Sequence, residues 1–338
     1  MIDLADVVFG LAWGDESKGK IVAELSSREY PNGSSYYDFV VRWAGGSNAG
    51  HTVYVNGEKF KTHLIPSGVF HGIKSVVGPG CVLHPESFMN EISYLNEHGF
   101  NTNLIKVSPN CHIVSDEHIR IDKENLADRL GTTSKGIAPC YADKAARVGV
   151  LAKDSLPDYL LMDEPLYGNL LCEGAQGAWL DINHGLYPYV TSSETFPYAA
   201  CSVGFPPQKI NDVWGAAKIY DTRSGEDPRF PDLLLEDPIL SELGEIGEEY
   251  GVTTGRRRKV NWLNLNMLVD SINLSGTTHV VISKCDVIEE LSIFRLLYED
   301  GVVRFFNLHA MKEFIQEKIE THCRMVKKII FSQSPESI

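Results

Sequence analysis

The sequence predicts an α/β protein with a mainly parallel central sheet flanked by helices. Three observations point there. Short apolar runs alternate with amphipathic stretches of helical period. The apolar runs end in glycine-bearing loops, as strands do at the functional edge of a parallel sheet. No internal repeat, low-complexity tract, long linker or composition shift divides the 338 residues. Residues 1–338 therefore read as one domain with inserted loops and subdomains.

The elements follow in order. Asp6 to Leu11 is a short buried strand, and the loop Gly14-Asp15-Glu16-Ser17-Lys18-Gly19-Lys20 leads into a helix over Ile21 to Leu25. Phe39 to Trp43 is a second strand. Val53 to Phe60 reads as a hairpin turning at Asn56-Gly57. Ser75 to Val77 is a strand and Pro85 to His98 a helix. Leu170 to Cys172 is a strand running into Glu173-Gly174-Ala175-Gln176-Gly177, and Val213 to Tyr220 is another. Asn264 to Ser275 suits a helix, His279 to Ser283 a strand, Leu308 to Lys318 a helix and Lys328 to Phe331 a last strand.

Composition narrows the function. Hydrophobic residues make up 43% and charged residues 22%, ordinary for a globular chain. A net charge of −14 argues against coating a nucleic acid, but leaves room for a small anion held by a few local cations. The seven cysteines are scattered, without zinc spacing, and read as buried free thiols of a reducing compartment. The first residues lack the basic and apolar regions of a signal peptide, and no apolar run is long enough to span a bilayer. The expectation is a cytoplasmic protein with no nucleic-acid or membrane partner.

Four loops carry chemistry. Gly14 to Lys20 has the G-xxxx-GK shape of a phosphate loop, yet Ile21 stands where Ser or Thr would hold magnesium. Asp15 and Glu16 would repel phosphate there unless a metal or proton transfer explains them. The alternative is a plain strand-to-helix turn with solvated charges. Gly45-Gly46-Ser47-Asn48-Ala49-Gly50-His51 lets backbone approach a ligand beside one amide and one imidazole; a merely structural histidine is the competing reading. Thr253-Thr254-Gly255-Arg256-Arg257-Arg258-Lys259 suits a carboxylate ligand, although a solvated basic turn would look the same. Ser283-Lys284-Cys285-Asp286 follows an apolar strand and is similar to the N-K-x-D guanine reader of GTPases; alone it is weak.

In this order, the four clusters resemble the adenylosuccinate synthetase family. His63-Leu64-Ile65-Pro66-Ser67-Gly68, Gly131-Thr132-Thr133, Ala142-Asp143-Lys144, Glu173 to Gly177 and Tyr187 to Ser193 extend the match over nearly the whole chain. The chain resembles the family's compact archaeal and bacteriophage forms, so a phage origin would place it in the host cytoplasm. The resemblance implies a P-loop-NTPase-related fold and a GTP-dependent ligase. GTP, the co-substrate, would phosphorylate the 6-oxygen of a purine nucleoside monophosphate, and the amine of L-aspartate would displace that phosphate.

By resemblance, Asp15 is the base at purine N1 and a Mg2+ ligand together with the Gly50 carbonyl. His51 is the acid at departing GDP. Lys18 holds the transferred phosphate, within a GTP-binding run of Gly14, Glu16, Ser17, Lys18, Gly19 and Lys20. Asn48 and Gln176 sit by the reacting 6-position. Thr133, Thr191 and an Arg147 donated across a homodimer interface contact the 5′-phosphate, and Ser224 lies close to the ribose. Thr253, Thr254, Arg256 and Arg258 form the aspartate loop. Lys284, Asp286 and Ser332 frame guanine.

Three departures from the family pattern concern the acceptor. Ser17 replaces a glycine, Ser224 a valine, and Glu194-Thr195-Phe196-Pro197-Tyr198 a threonine- and glycine-rich run. Two acceptors are therefore weighed: IMP, giving adenylosuccinate, and dGMP, used by a phage branch. Many members of that branch replace the phosphate-loop aspartate and some use ATP, so Asp15, Lys284 and Asp286 keep IMP and GTP ahead. A GTP-binding switch without ligase activity is the reading from a different class.

Overall fold

A computed structural model describes residues 1–55, 57–251, 255–334 and 336–338. Strand β1 (Ile2–Gly10) runs through the middle, and every residue from Ala5 to Gly10 is buried. Burial on both faces is the signature of a central parallel strand. Gly168–Glu173 pairs with it on one side and Ile210–Lys218 on the other, both parallel. The eight-stranded sheet runs Lys328–Phe331, His279–Ser283, Ile210–Lys218, β1, Gly168–Glu173, Phe39–Arg42, Lys74–Val77, Ile105–Val107. Each neighbouring pair is parallel.

The strands beside β1 come from distant parts of the chain, so their following loops diverge and leave a crevice at the carboxyl ends, where such sheets bind ligands. Helix α1 (Lys18–Ser26) packs Ile21, Val22 and Leu25 against Val8, Val40 and Leu171, which fixes its amino end at the mouth of that crevice. The helix Leu265–Ser275 starts where the Asn264 side chain accepts from Met267 N–H and stops at left-handed Gly276.

A second, four-stranded sheet lies in the order Tyr220–Arg223, Lys259–Asn264, Phe294–Tyr298, Gly301–Phe305. Only its Lys259–Asn264 and Phe294–Tyr298 pair is parallel. It corrects the sequence reading twice. The expected strand Val213 to Tyr220 breaks after Lys218, and Tyr220 starts a strand of the other sheet. The pairing of Phe294–Tyr298 with Gly301–Phe305 was not anticipated. The hairpin expected at Val53 to Phe60 is present as His51–Val55 against Glu58–Thr62; Asn56 lies outside the described residues. One contiguous core cluster includes Phe9 of the large sheet with Trp262 and Leu296 of the small one.

Candidate active site

The crevice opens into a cleft of about 1110 Å3, larger than the roughly 300–1000 Å3 usual for one small ligand, and so with room for more than one. The four loops singled out from the sequence all reach it, together with Thr133, Thr191 and Ser224.

The phosphate loop is held open by unusual backbone. Gly14, Asp15 and Ser17 all have positive φ, at 89°, 60° and 68°. The last two are non-glycine residues in a region that costs about 1–2 kcal/mol each. The turn brings Ser17, Lys18, Gly19 and Lys20 to the cleft at the amino end of α1, whose first turn carries no acidic residue. Free N–H groups there favour an anion.

The Glu16 side chain does not face the cleft. Its carboxylate turns into the protein, 1% exposed, and accepts from Ala12 N–H at 3.2 Å and Gly14 N–H at 2.6 Å. It therefore shapes the loop without facing a ligand, which removes the repulsion expected of it. Lys18 Nζ reaches back to it at 2.6 Å. Lys20 Nζ donates to Ser332 Oγ at 2.6 Å and Ser334 O at 2.9 Å, and burial pushes its pKa down to about 8 against the pull of Asp286.

The second loop supplies the imidazole. His51 Nδ1 meets Glu173 Oε1 at the end of the strand Gly168–Glu173, and Ser67 N–H donates to the other carboxylate oxygen at 2.7 Å. Burial pushes Glu173 up, but His51, Arg42 and the Ser67 N–H outweigh it and keep the carboxyl below its ordinary value. Burial also lowers the His51 pKa. Arg42 and the Ser67 N–H add to the ring in holding Glu173 as a carboxylate. Nδ1–H then faces Glu173, and Nε2 is a buried atom without a protein partner. Both amide atoms of Gln176 are likewise buried and unpartnered. Gly45 brings these loops together: its φ is 83°, and a Cβ there would lie 2.8 Å from the Ala175 Cβ.

The opposite wall is made of charges. Arg258 Nη1 donates to Glu249 Oε2 at 2.5 Å, and its Nη2 lies 3.1 Å from Asp15 Oδ2. Glu249 also accepts from Lys218 Nζ at 3.1 Å and Tyr220 Oη at 2.7 Å. Burial pushes Glu249 up, but Lys218, Arg258 and Lys284 carry it down to about 2. Arg256 Nη2 donates to Gly131 O at 3.0 Å and Thr132 O at 2.7 Å, tying its loop to the one that carries Thr133. Lys284 and Asp286 line the cleft at the start of the helix Cys285–Leu291, and Lys284 Nζ donates to Gly247 O at 2.8 Å.

Asn48 and Gly50 also line the cleft. Thr253 and Thr254 lie outside the described residues. Arg147 is exposed at the end of the helix Ile137–Ala146 and is not part of its own chain's cleft. Ser332 is 3% exposed and meets Lys20, whereas Ser334 lines the cleft in its stead. Phe196, near which an altered specificity was sought, is 1% exposed and packs on Phe9 in the core. Sequence reasoning missed Glu173 as the partner of His51, and Lys218 and Glu249 altogether. A lysine ending the otherwise apolar run Val213 to Ala217 was the available signal.

The family model described as adenylosuccinate synthetase matches residues 7–165 and 159–298. The adenylosuccinate synthetase of Lysinibacillus sphaericus is 36% identical, with 91% of this chain and 84% of that protein covered. The Fusobacterium nucleatum enzyme is 38% identical, with 88% and 82% covered. Among solved structures, fully ligated adenylosuccinate synthetase from Plasmodium falciparum superposes with a TM-score of 0.80 at 27% identity, covering 99% of this chain and 98% of that one. The cyanophage S-2L succinoaminodeoxyadenylate synthetase, bound to dGMP and dATP, shares the fold with a TM-score of 0.74 at 18% identity, covering 99% and 94%. Matched from sequence through fold, the chain belongs to the adenylosuccinate synthetase family of GTP-dependent ligases.

Proposed function

We propose that the protein joins L-aspartate to C6 of IMP at the expense of GTP, giving adenylosuccinate, GDP and phosphate. The observation that carries this reading is one cleft holding Asp15, the bare Nε2 of His51 and the bare amide of Gln176 on one side, with Arg258 and Asp286 across it. A switch protein needs a phosphate loop and a base reader, but not that constellation. The core cluster common to both sheets supports treating residues 1–338 as one working unit.

The chemistry divides among these residues. The purine 6-oxygen is a poor nucleophile until N1 loses its proton, and Asp15 is the carboxylate available to take it. The 6-oxygen then bonds to the γ-phosphorus and the bridge to GDP breaks. Lys18, Lys20 and the N–H groups of α1 hold the phosphoryl oxygens, since phosphoryl transfer is mainly positioning and charge stabilisation. A protonated His51 Nε2, balanced by Glu173 behind the ring, donates to the departing oxygen. Gln176 and Asn48 orient the 6-position. The aspartate amine then attacks C6 and gives up a proton, the C6–O bond breaks, and the former 6-oxygen departs with the phosphoryl group as inorganic phosphate. Arg258 and Arg256 receive the amino acid's carboxylates, and Asp286 accepts from guanine N–H groups.

Mg2+ suits the donors present. A hard cation takes oxygen ligands and often only one or two from protein when phosphates supply the rest. Asp15 and the Gly50 carbonyl both line the cleft, and no cluster of three acidic, His or Cys side chains competes among the described residues. When bound there, Mg2+ would neutralise phosphate charge.

Ser224 lines the cleft and favours a second acceptor, dGMP, for an enzyme altered near the ribose. Arg147, outside its own cleft, is free to serve a partner's in a homodimer. The deciding experiment is aspartate- and GTP-dependent phosphate release with IMP and dGMP side by side. Faster release with IMP is expected. Faster release with dGMP overturns the acceptor, and GTP hydrolysis indifferent to aspartate overturns the ligase reading for this chain.

A further inference from the structure

The aspartate side of the cleft holds a carboxylate, Glu249, already engaged by groups of the protein itself. Glu249 follows the helix Pro238–Ile246 and is 1% exposed. Its carboxylate is fully engaged: Lys218 Nζ at 3.1 Å to each oxygen, Tyr220 Oη at 2.7 Å and Arg258 Nη1 at 2.5 Å. Its backbone is tied too, since Arg258 N–H donates to Glu249 O at 2.9 Å. Lys218 is itself locked, donating to Thr222 Oγ1 at 2.6 Å. Gly247 completes the turn where a Cβ would meet the Tyr220 hydroxyl oxygen at 2.4 Å.

These contacts fix one edge of the Arg258 guanidinium and leave the other. Nη1 belongs to Glu249. Nε is buried without a protein partner, and Nη2 pairs with Asp15 at 3.1 Å. The Nε–Nη2 edge is a two-donor fork that a carboxylate can fill with parallel hydrogen bonds. A carboxylate arriving there satisfies the orphan Nε and takes Nη2 from Asp15.

We propose that Glu249, braced by Lys218 and Tyr220, is the positioning residue of the amino-acid site: it holds Arg258 by Nη1 so that its Nε–Nη2 fork receives the substrate carboxylate and thereby releases Asp15. The proposal rests on the reading of Arg258 as an aspartate ligand and adds what aims it. It also couples the two tasks of the cleft, because Asp15 leaves its ion pair when the amino acid binds.

The test is steady-state kinetics on Glu249→Gln, with Tyr220→Phe as a variant that keeps every charge in place. Glu249→Gln is expected to raise the aspartate KM at least tenfold, leaving the GTP and IMP KM values within about threefold. Tyr220→Phe should raise the aspartate KM less, about threefold, in a protein that stays folded at the assay temperature. If both variants are folded and keep the aspartate KM within twofold, the positioning role is overturned while the ligase reading stands. A rise in all three KM values together, tracking lost stability, also overturns it, since a general structural role would do that. If Glu249→Gln does not fold, the Tyr220→Phe result decides by the same criteria. Wild-type protein that never requires aspartate overturns the reading beneath the proposal, and the proposal with it.

Discussion

The two walls of the cleft hold their charged groups by different means. On the sheet side, the reactive groups keep bare buried atoms: His51 is backed by Glu173 and leaves Nε2 without a partner, and both amide atoms of Gln176 have none. Their positions follow from strand register, because Glu173 ends a strand paired on both sides. On the opposite wall, charges hold charges: Lys218 holds Glu249, Glu249 holds Arg258, and Arg258 reaches Asp15. The first arrangement suits groups that must not move during bond making. The second suits groups that exchange one partner for another when a ligand arrives. Losses on the sheet side should therefore appear in turnover, and losses on the other wall in recognition.

The largest effect should come from Asp15→Ala or His51→Ala, each lowering kcat by about a thousandfold or more, as loss of acid–base groups does. Purified variants with near-normal rates and unchanged melting temperature would break the division at once. Glu173→Gln should follow, reducing kcat by about a hundredfold through a misoriented, less basic ring, with KM values little changed. An effect confined to KM would move His51 to the recognition side. Across the cleft, Asp286→Asn should lower the preference for GTP over ATP by about tenfold without lowering kcat, about the worth of a lost hydrogen bond to a charged group. An unchanged preference removes Asp286 as the base reader.

Two smaller effects sharpen the contrast. Lys20 is charged below about 8 when folded, and up to its ordinary value of 10.5 when unfolded. Between those values the unfolded chain binds more protons, so stability gains with rising pH while attraction for phosphate is lost. kcat/KM for GTP should thus fall as pH rises through about 8, and Lys20→Arg should flatten that limb. A limb that persists in the arginine variant belongs to another group. Smallest of all, Ser17→Gly relieves a left-handed serine at φ 68° and should stabilise the protein by about 0.5 kcal/mol, net of the looser unfolded chain. A drop in stability would mean that the serine hydroxyl contributes more than its backbone costs.

The sheet-side wall was the more legible of the two in sequence. A run such as Val40-Val41 or Val280-Val281-Ile282, closed by a glycine or polar loop, announces a buried parallel strand without tertiary information. The motif residues then fall at strand ends by necessity. Glu249 gave no such sign, because its meaning depends on a lysine 31 residues earlier. The small sheet was overlooked for a milder reason: Phe294–Tyr298 is only partly buried, so its apolar run is interrupted by Arg295. The Asp300-Gly301 pair was a hairpin signal that could have revealed it. Glu16 misled because sequence shows charge but not direction; its carboxylate serves the loop's own N–H groups.

Synthesis gives the sheet order a further meaning. β1 and α1 leave the ribosome before their neighbours: β1 has no paired strand until residues 168–173 and then 210–218 emerge. Lys20 finds Ser332 and Ser334 only 312 and 314 residues later. The nascent phosphate loop is thus without a finished scaffold until residues 332–334 are made, and such long-range closure is slow. A nucleotide that binds the completed cleft would trap the last strand as it docks, so GTP should speed the final step of refolding more than it speeds the earlier ones.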